Sequence, residues 1–155
     1  PMMMHRVPVG KMFFEGATRL CAARVSVLPC RPLPDSRIAL ESYPALVARR
    51  YIGKQSYKSD ERAKQTLAQR EARKSILNAL LTAELTATYG IRLALGDDDR
   101  DKLIQDPTGD WLDALQCAIQ AAWAYTMRDQ DYGILPGHEV EGWIVDPALL
   151  ASAKG

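Results

Sequence analysis

One stretch constrains the fold more than any other. From Asp110 to Met127, the residues Leu112, Leu115, Ala118, Ile119, Ala122 and Trp123 recur at steps of three and four. That spacing lays them along one stripe of an amphipathic helix, the clearest helix in the chain. The stripe needs a core to pack against. At 155 residues the chain is long enough to supply one as a single domain.

The rest of the sequence punctuates itself with proline and glycine. Residues 1–10 read as irregular, with Pro8 and Gly10 as breakers. Met12, Phe13, Ala17, Leu20 and Cys21 then recur at helical spacing between Lys11 and Arg24. Val25 to Leu28 and Ile38 to Leu40 suit short strands, the second one buried, with a turn-rich connection over Arg31 to Ser36. Pro44 fits the first position of a helix running to Ile52 and stopped by Gly53. Ser59 is placed to cap a long helix from Asp60 to Tyr89, with Arg62 where a capping box wants Glu or Gln. Its length predicts a break, around Gln65-Thr66 or at Thr82, and Gly90 ends it. A short helical piece surrounds Leu103-Ile104, Pro136-Gly137 makes a turn, and Trp143 to Val145 reads as a last strand. Trp111, Trp123 and Trp143 read as core or interface.

Composition narrows the classes of function. The apolar fraction of 47% and charged fraction of 25% are those of an ordinary globular protein. With 20 Lys and Arg against 19 Asp and Glu, the formal charge is +1, so any basic surface must be local. Cys21, Cys30 and Cys117 form no CxxC pair, and a reduced, cytoplasmic compartment is the simplest expectation. No apolar run reaches the roughly 18–20 residues that span a bilayer, and no signal-peptide core follows the N-terminus. Pro1 and the loop-like Val7-Pro8-Val9-Gly10 read as the interior of a longer domain. His5 and His138 have no Cys or His at ligand spacing. GxSxG, Walker and GxGxxG patterns are absent.

Carboxylates offer the sharpest chemical signal. Asp110 and Asp113 stand three apart, on one face at the start of the last long helix. Two readings stay open. Acids in a first turn stabilise a helix by about 0.3–1 kcal/mol, and Asp110 suits an N-cap. Asp113 instead adjoins the apolar Ala114-Leu115 and invites a functional reading. Glu41 follows Ile38-Ala39-Leu40 at the carboxyl end of a strand, where ligands bind in open α/β sheets. Such a Glu is either solvated or a hard-metal ligand. Several carboxylates together are what a metal-assisted phosphoryl-transfer site requires. Asp97-Asp98-Asp99 reads as a solvated loop.

Asp110-x-x-Asp113-Ala-Leu, followed by Cys117-Ala118 and Ala121-Ala122-Trp123, resembles the last acidic helix of RuvC-like members of the RNase H superfamily. Ala39-Leu40-Glu41-Ser42-Tyr43-Pro44-Ala45, Ser56-Tyr57-Lys58-Ser59-Asp60 and Glu141-Gly142-Trp143-Ile144 resemble, in that order, a bacterial and archaeal family of predicted RNase H-like nucleases (domain of unknown function 429). The resemblance runs from Pro8 to Pro147. It implies an α/β fold, helix-rich here, in which a mixed sheet of few strands is flanked by helices as the C-terminal part of an RNase H-like domain. It also implies a Mg²⁺ or Mn²⁺ site and hydrolysis of a phosphodiester, with Glu41, Asp110 and Asp113 as catalytic and metal-binding residues. The superfamily's leading aspartate lies on an opening strand. Glu15 and Asp35, on a helix and in a turn, are the only acids before Glu41 and do not replace it, so the residues given are expected to leave the site incomplete.

Bases gather between Arg49 and Lys74: Arg49, Arg50, Lys54, Lys58, Arg62, Lys64, Arg70, Arg73 and Lys74 against Asp60, Glu61 and Glu71. They read either as a solvated helix face or as a nucleic-acid patch, with Arg49, Arg50, Lys54, Lys58, Arg70 and Arg73 on phosphates. Tyr51 and Tyr57 are placed to stack on bases. Three functions compete: a metal-dependent nuclease, a non-catalytic RNase H-like module that binds nucleic acid, and a helical protein-interaction module in which the acids only cap. Exposed sheet edges lead to an expectation of self-association.

Overall fold

The computed structural model describes residues 9–34 and 37–152. It is helix-rich and α/β, and it divides into two compact units. The first comprises Pro1–Glu41 with Pro136–Trp143, and the second Ser42–Leu135 with Ile144–Gly155.

In the first unit, α1 spans Val9–Ala22. It starts earlier than the sequence indicates, since Val9 and Gly10, expected in a loop, are helical. Pro8 and Asp35 lie outside the described residues, as does His5. Met12, Phe13 and Phe14 on α1 are exposed. Strands β1 (Ser26–Leu28) and β2 (Ile38–Leu40) pair in parallel, with Val27 opposite Ala39. The connection between them is tied down by the Leu33 N–H donating to Ser26 Oγ at 3.1 Å. β2 was expected to be buried, yet Ile38 is exposed and Ala39 and Leu40 are only half-buried. A two-stranded ribbon leaves β2 without a further neighbour in the sheet among the described residues. His138 packs on Trp143, ring centroids 4.5 Å apart.

The second unit holds the core. Helix α2 (Pro44–Ile52) opens on its proline and ends at Gly53, φ +60°, as the sequence predicts. The long helix expected from Asp60 breaks at both anticipated places. Arg62–Lys64 is a single 3₁₀ turn, α3 runs Leu67–Leu80 and α4 runs Ala83–Tyr89. Ser59 caps nothing helical; its hydroxyl donates to Glu61 O. The cap is Thr66, whose Oγ1 accepts from Gln69 N while Gln69 Oε1 accepts from Thr66 N, a full capping box. Thr82 caps α4, and Gly90 closes it in the left-handed region.

Asp97-Asp98-Asp99, expected in a loop, form the first turn of α5 (Asp97–Gln105), where three carboxylates complement the positive end of the helix. Helix α6 (Asp110–Thr126) is the predicted long helix, but its stripe is only partly the buried face: Leu112, Ile119 and Trp123 are buried, Leu115 is half-buried, Ala118 and Ala122 are exposed, and Gln116, Gln120 and Ala124 are buried instead. It packs on α2, α4 and α5, while α3 packs on α2 and α5. Val47, Ile76, Leu77, Leu80 and Leu85 complete the core at 0–1% exposure. Trp111 is not part of the core: it lies off the stripe and is 65% exposed. Trp143–Val145 is not a strand, for Ile144 alone makes a one-residue bridge and α7 follows at Pro147–Ser152.

A buried polar network locks this unit. Asp146, 1% exposed, accepts from Tyr89 Oη at 2.9 Å and Gln120 Nε2 at 2.8 Å on one oxygen, and from Ala148 N at 2.9 Å on the other. Gln120 Oε1 accepts from Tyr43 N at 2.9 Å, so one glutamine joins the starts of α2 and α7. Burial pushes the Tyr89 hydroxyl pKa up, and the neighbouring Asp146 pushes it further.

Candidate anion-binding groove and the Asp113 cluster

The candidate site is built where α6 begins. Gly109, in the left-handed region at φ +73°, is the N-cap. Asp110 is therefore the first helical residue and not the cap that its sequence position suggests. Asp106 supplies the capping oxygens: it accepts from Thr108 N at 3.0 Å, Thr108 Oγ1 at 2.6 Å and Trp111 N at 3.1 Å. Partial burial works against the Asp106 charge, but these hydrogen bonds outweigh it and hold the carboxyl below its ordinary pKa.

Asp113 stands one turn further on and is far from a bare cap. Its Oδ1 accepts a 2.6 Å hydrogen bond from Tyr57 Oη, and its Oδ2 is ion-paired with Lys58 Nζ. The Asp113 side chain is 20% exposed and that of Lys58 36%. Burial disfavours the charge on Lys58, but Asp113 outweighs that effect, helped by Asp110 and Asp60, and the ammonium pKa rises. Burial and the bond to Asp113 both raise the Tyr57 hydroxyl pKa. Asp110 is exposed beside this cluster.

Local structure explains how two consecutive loop residues reach the same carboxylate. The Tyr57 carbonyl accepts from buried Arg73 at 2.7 Å, and the Lys58 carbonyl accepts from Gln69 Nε2 at 3.0 Å. Ser59 N donates to Pro107 O at 3.1 Å. The loop is thus pinned to α3 on one side and to the entry of α6 on the other. A Cβ on Gly109 would come within 2.8 Å of Lys58 Cβ and 2.9 Å of its Cδ. Glycine therefore serves two ends here, the positive φ and the close passage of the lysine stem toward Asp113.

With α2 the same loop lines a groove of about 590 Å³. Arg49, Lys54, Gln55, Ser56, Tyr57 and Lys58 line it together with Ala45, Ala48 and Gly53, and no Asp or Glu is among the lining residues. Three of the six bases expected to contact nucleic acid, Arg49, Lys54 and Lys58, thus share one concave surface. The other three are placed elsewhere. Arg50 lines a separate cavity with Tyr51 and Glu84, its guanidinium 5.9 Å from the Tyr89 ring centre. Arg70 is exposed on α3. Arg73 corrects the expectation outright: it is 3% exposed and donates inward to the carbonyls of Tyr57 and Ile104. Tyr57 is corrected likewise, since it is 8% exposed with its hydroxyl committed to Asp113 and offers no free face for a base.

The three candidate carboxylates are distributed between the units. Asp110 and Asp113 lie in the second, whereas Glu41 directly follows β2 in the first, at the strand end the sequence indicates, and is exposed. A Cβ on Gly142 would lie 3.2 Å from Glu41 Oε2. Among the described residues no three His, Cys, Asp or Glu side chains converge as a metal site. With both Asp113 oxygens engaged by protein donors, the described residues do not by themselves form a complete site for Mg²⁺ or Mn²⁺. No helix among them is long and apolar enough to cross a membrane.

Sequence reasoning missed Asp106 as the cap, Gly109 as the clearance for Lys58, and the pairing of Tyr57 and Lys58 with Asp113. The one signal for them was the compact Ser56-Tyr57-Lys58-Ser59-Asp60 stretch, which marks the loop but not its target. Comparison with known proteins adds no assignment: no family model, no curated protein and no solved structure matches the chain.

Proposed function

We propose that this chain holds a nucleic-acid backbone in the Arg49–Lys54–Lys58 groove, as the substrate-binding part of an RNase H-like, metal-dependent nuclease domain. One observation carries this reading: a carboxylate-free basic groove shares Tyr57 and Lys58 with the oriented carboxylate of Asp113. Phosphates supply most of the sequence-independent affinity for nucleic acid, and clustered Lys and Arg are what they recognise. Metal-assisted phosphodiester hydrolysis uses carboxylates to hold its ion, and Asp113 is the carboxylate bonded to two residues that line the groove. Within this reading Asp113 is the helix carboxylate and Asp110 its neighbour. Glu41 and a divalent ion remain what the family resemblance implies.

The test is cleavage of labelled single-stranded and duplex oligonucleotides by the chain with Mg²⁺ or Mn²⁺. Ion-stimulated turnover that disappears in Asp113→Asn supports hydrolysis, and turnover surviving that substitution removes Asp113 from the chemistry. A second reading is favoured by the full engagement of Asp113 with Lys58 and Tyr57: a module that binds nucleic acid without cleaving it. Salt-sensitive binding with no ion-stimulated turnover selects that reading.

A further inference from the structure

Lys58 belongs both to the groove lining and to the Asp113 cluster. It is one of the groove's lining residues, and its Nζ is paired with Asp113 Oδ2. Asp113 does not depend on it alone, because Tyr57 Oη donates to the other oxygen. Three features let Lys58 move. Its side chain is 36% exposed, an ion pair this open is worth at most a several-fold change in an equilibrium constant, and a lysine head turns on a flexible four-carbon stem. The backbone beneath stays fixed, since Arg73, Gln69 and Pro107 pin residues 57–59.

We propose that Lys58 is a latch shared between Asp113 and a phosphate of the bound backbone, so that filling the groove uncovers the Asp113 carboxylate. The proposal rests on the groove being a phosphate site. In the empty protein Lys58 neutralises Asp113. When a phosphate docks against Arg49 and Lys54, it offers Lys58 a second anion, and the ammonium swings to it while Tyr57 keeps the carboxylate in place. Coupling of this kind is reciprocal: whatever weakens the hold of Asp113 on Lys58 strengthens phosphate binding by the same factor. An acidic residue beside a nucleic-acid groove would then restrain binding through one named lysine, in addition to any general repulsion. Asp60 and Asp110, the other acids acting on Lys58, make no ion pair with it and contribute only background field.

The experiment measures the affinity of the full chain for a labelled single-stranded oligothymidylate in a chelator, with no divalent ion present. Asp113→Asn is expected to tighten binding about two- to five-fold and to steepen the salt dependence by about 0.7, the contribution of one extra contact to a single strand. In a Lys58→Met background the same substitution is expected to change affinity less than about two-fold. A gain that persists at full size without Lys58 reports general charge repulsion and overturns the latch, as does the absence of any gain. If Arg49→Ala and Lys54→Ala leave affinity untouched, the groove is not the phosphate site. If they weaken binding and Asp113→Asn does not tighten it, the groove stands and the latch fails. Should Asp113→Asn not fold, the Lys58 Nζ resonance of the wild-type chain decides: saturating oligothymidylate must shift it and speed its proton exchange, and an unchanged signal rejects the proposal.

Discussion

Asp113 and Arg73 show how differently two charged side chains are used. Arg73 is a buried cation that makes no ion pair among the described residues, and it donates to the carbonyls of Tyr57 and Ile104. Replacing it with Met leaves two buried acceptors unpaired, which is expected to cost about 2–4 kcal/mol in urea unfolding. A loss below about 0.5 kcal/mol would place Arg73 on the surface after all. Gly109→Ala forces a Cβ into the Lys58 stem at positive φ and should cost about 1–3 kcal/mol, with the Lys58–Asp113 pair loosened in side-chain NMR. In the sequence, Asp113 stood out because it adjoins an apolar stripe. Its partners did not, because they lie 55 and 56 residues away and only the path of a loop brings them in. Arg73 was illegible for a simpler reason: among eight other bases nothing in its spacing separates an inward arginine from a solvated one.

At the level of elements, local chemistry set most boundaries. Pro44 and Gly53 delimit α2, Gly90 ends α4, and the three- and four-residue stripe fixes α6. Two caps decide between the sequence and the structure. Thr66→Ala should lower stability by about 1 kcal/mol, because it breaks a capping box, while Ser59→Ala should change it by less than about 0.5 kcal/mol. Equal losses in thermal unfolding would restore Ser59 as a helix start. The tail around Trp143 misled because Trp-Ile-Val has strand propensity, yet tertiary context leaves only a one-residue bridge there, and Asp146-Pro147 begins a helix. Asp146 itself was overlooked, since a lone Asp before Pro reads as a cap, and its burial against Tyr89 and Gln120 requires three distant elements.

For the whole molecule, two protonated tyrosines contribute to the loss of stability expected of the second unit at alkaline pH. Tyr57 and Tyr89 both have raised pKa values, from burial first and a neighbouring aspartate next. The unfolded chain loses these protons near its ordinary value of about 10, before the folded chain does, so stability is full below that pH and falls as pH rises through it. Tyrosine ionisation followed by ultraviolet absorbance should therefore coincide with loss of helical circular dichroism. Ionisation of all six tyrosines with helicity intact would show that neither hydroxyl matters to the fold.

The formal charge of +1 gives no overall attraction to nucleic acid, so affinity has to come from the groove. The salt dependence of oligothymidylate binding tests this most directly. For the wild-type chain log Kobs should fall linearly with log salt, and Arg49→Ala and Lys54→Ala should each flatten the slope by about 0.7, while Arg50→Ala leaves it unchanged. Equal slopes in all four proteins, or no binding at low salt, would contradict a phosphate-binding role for the groove.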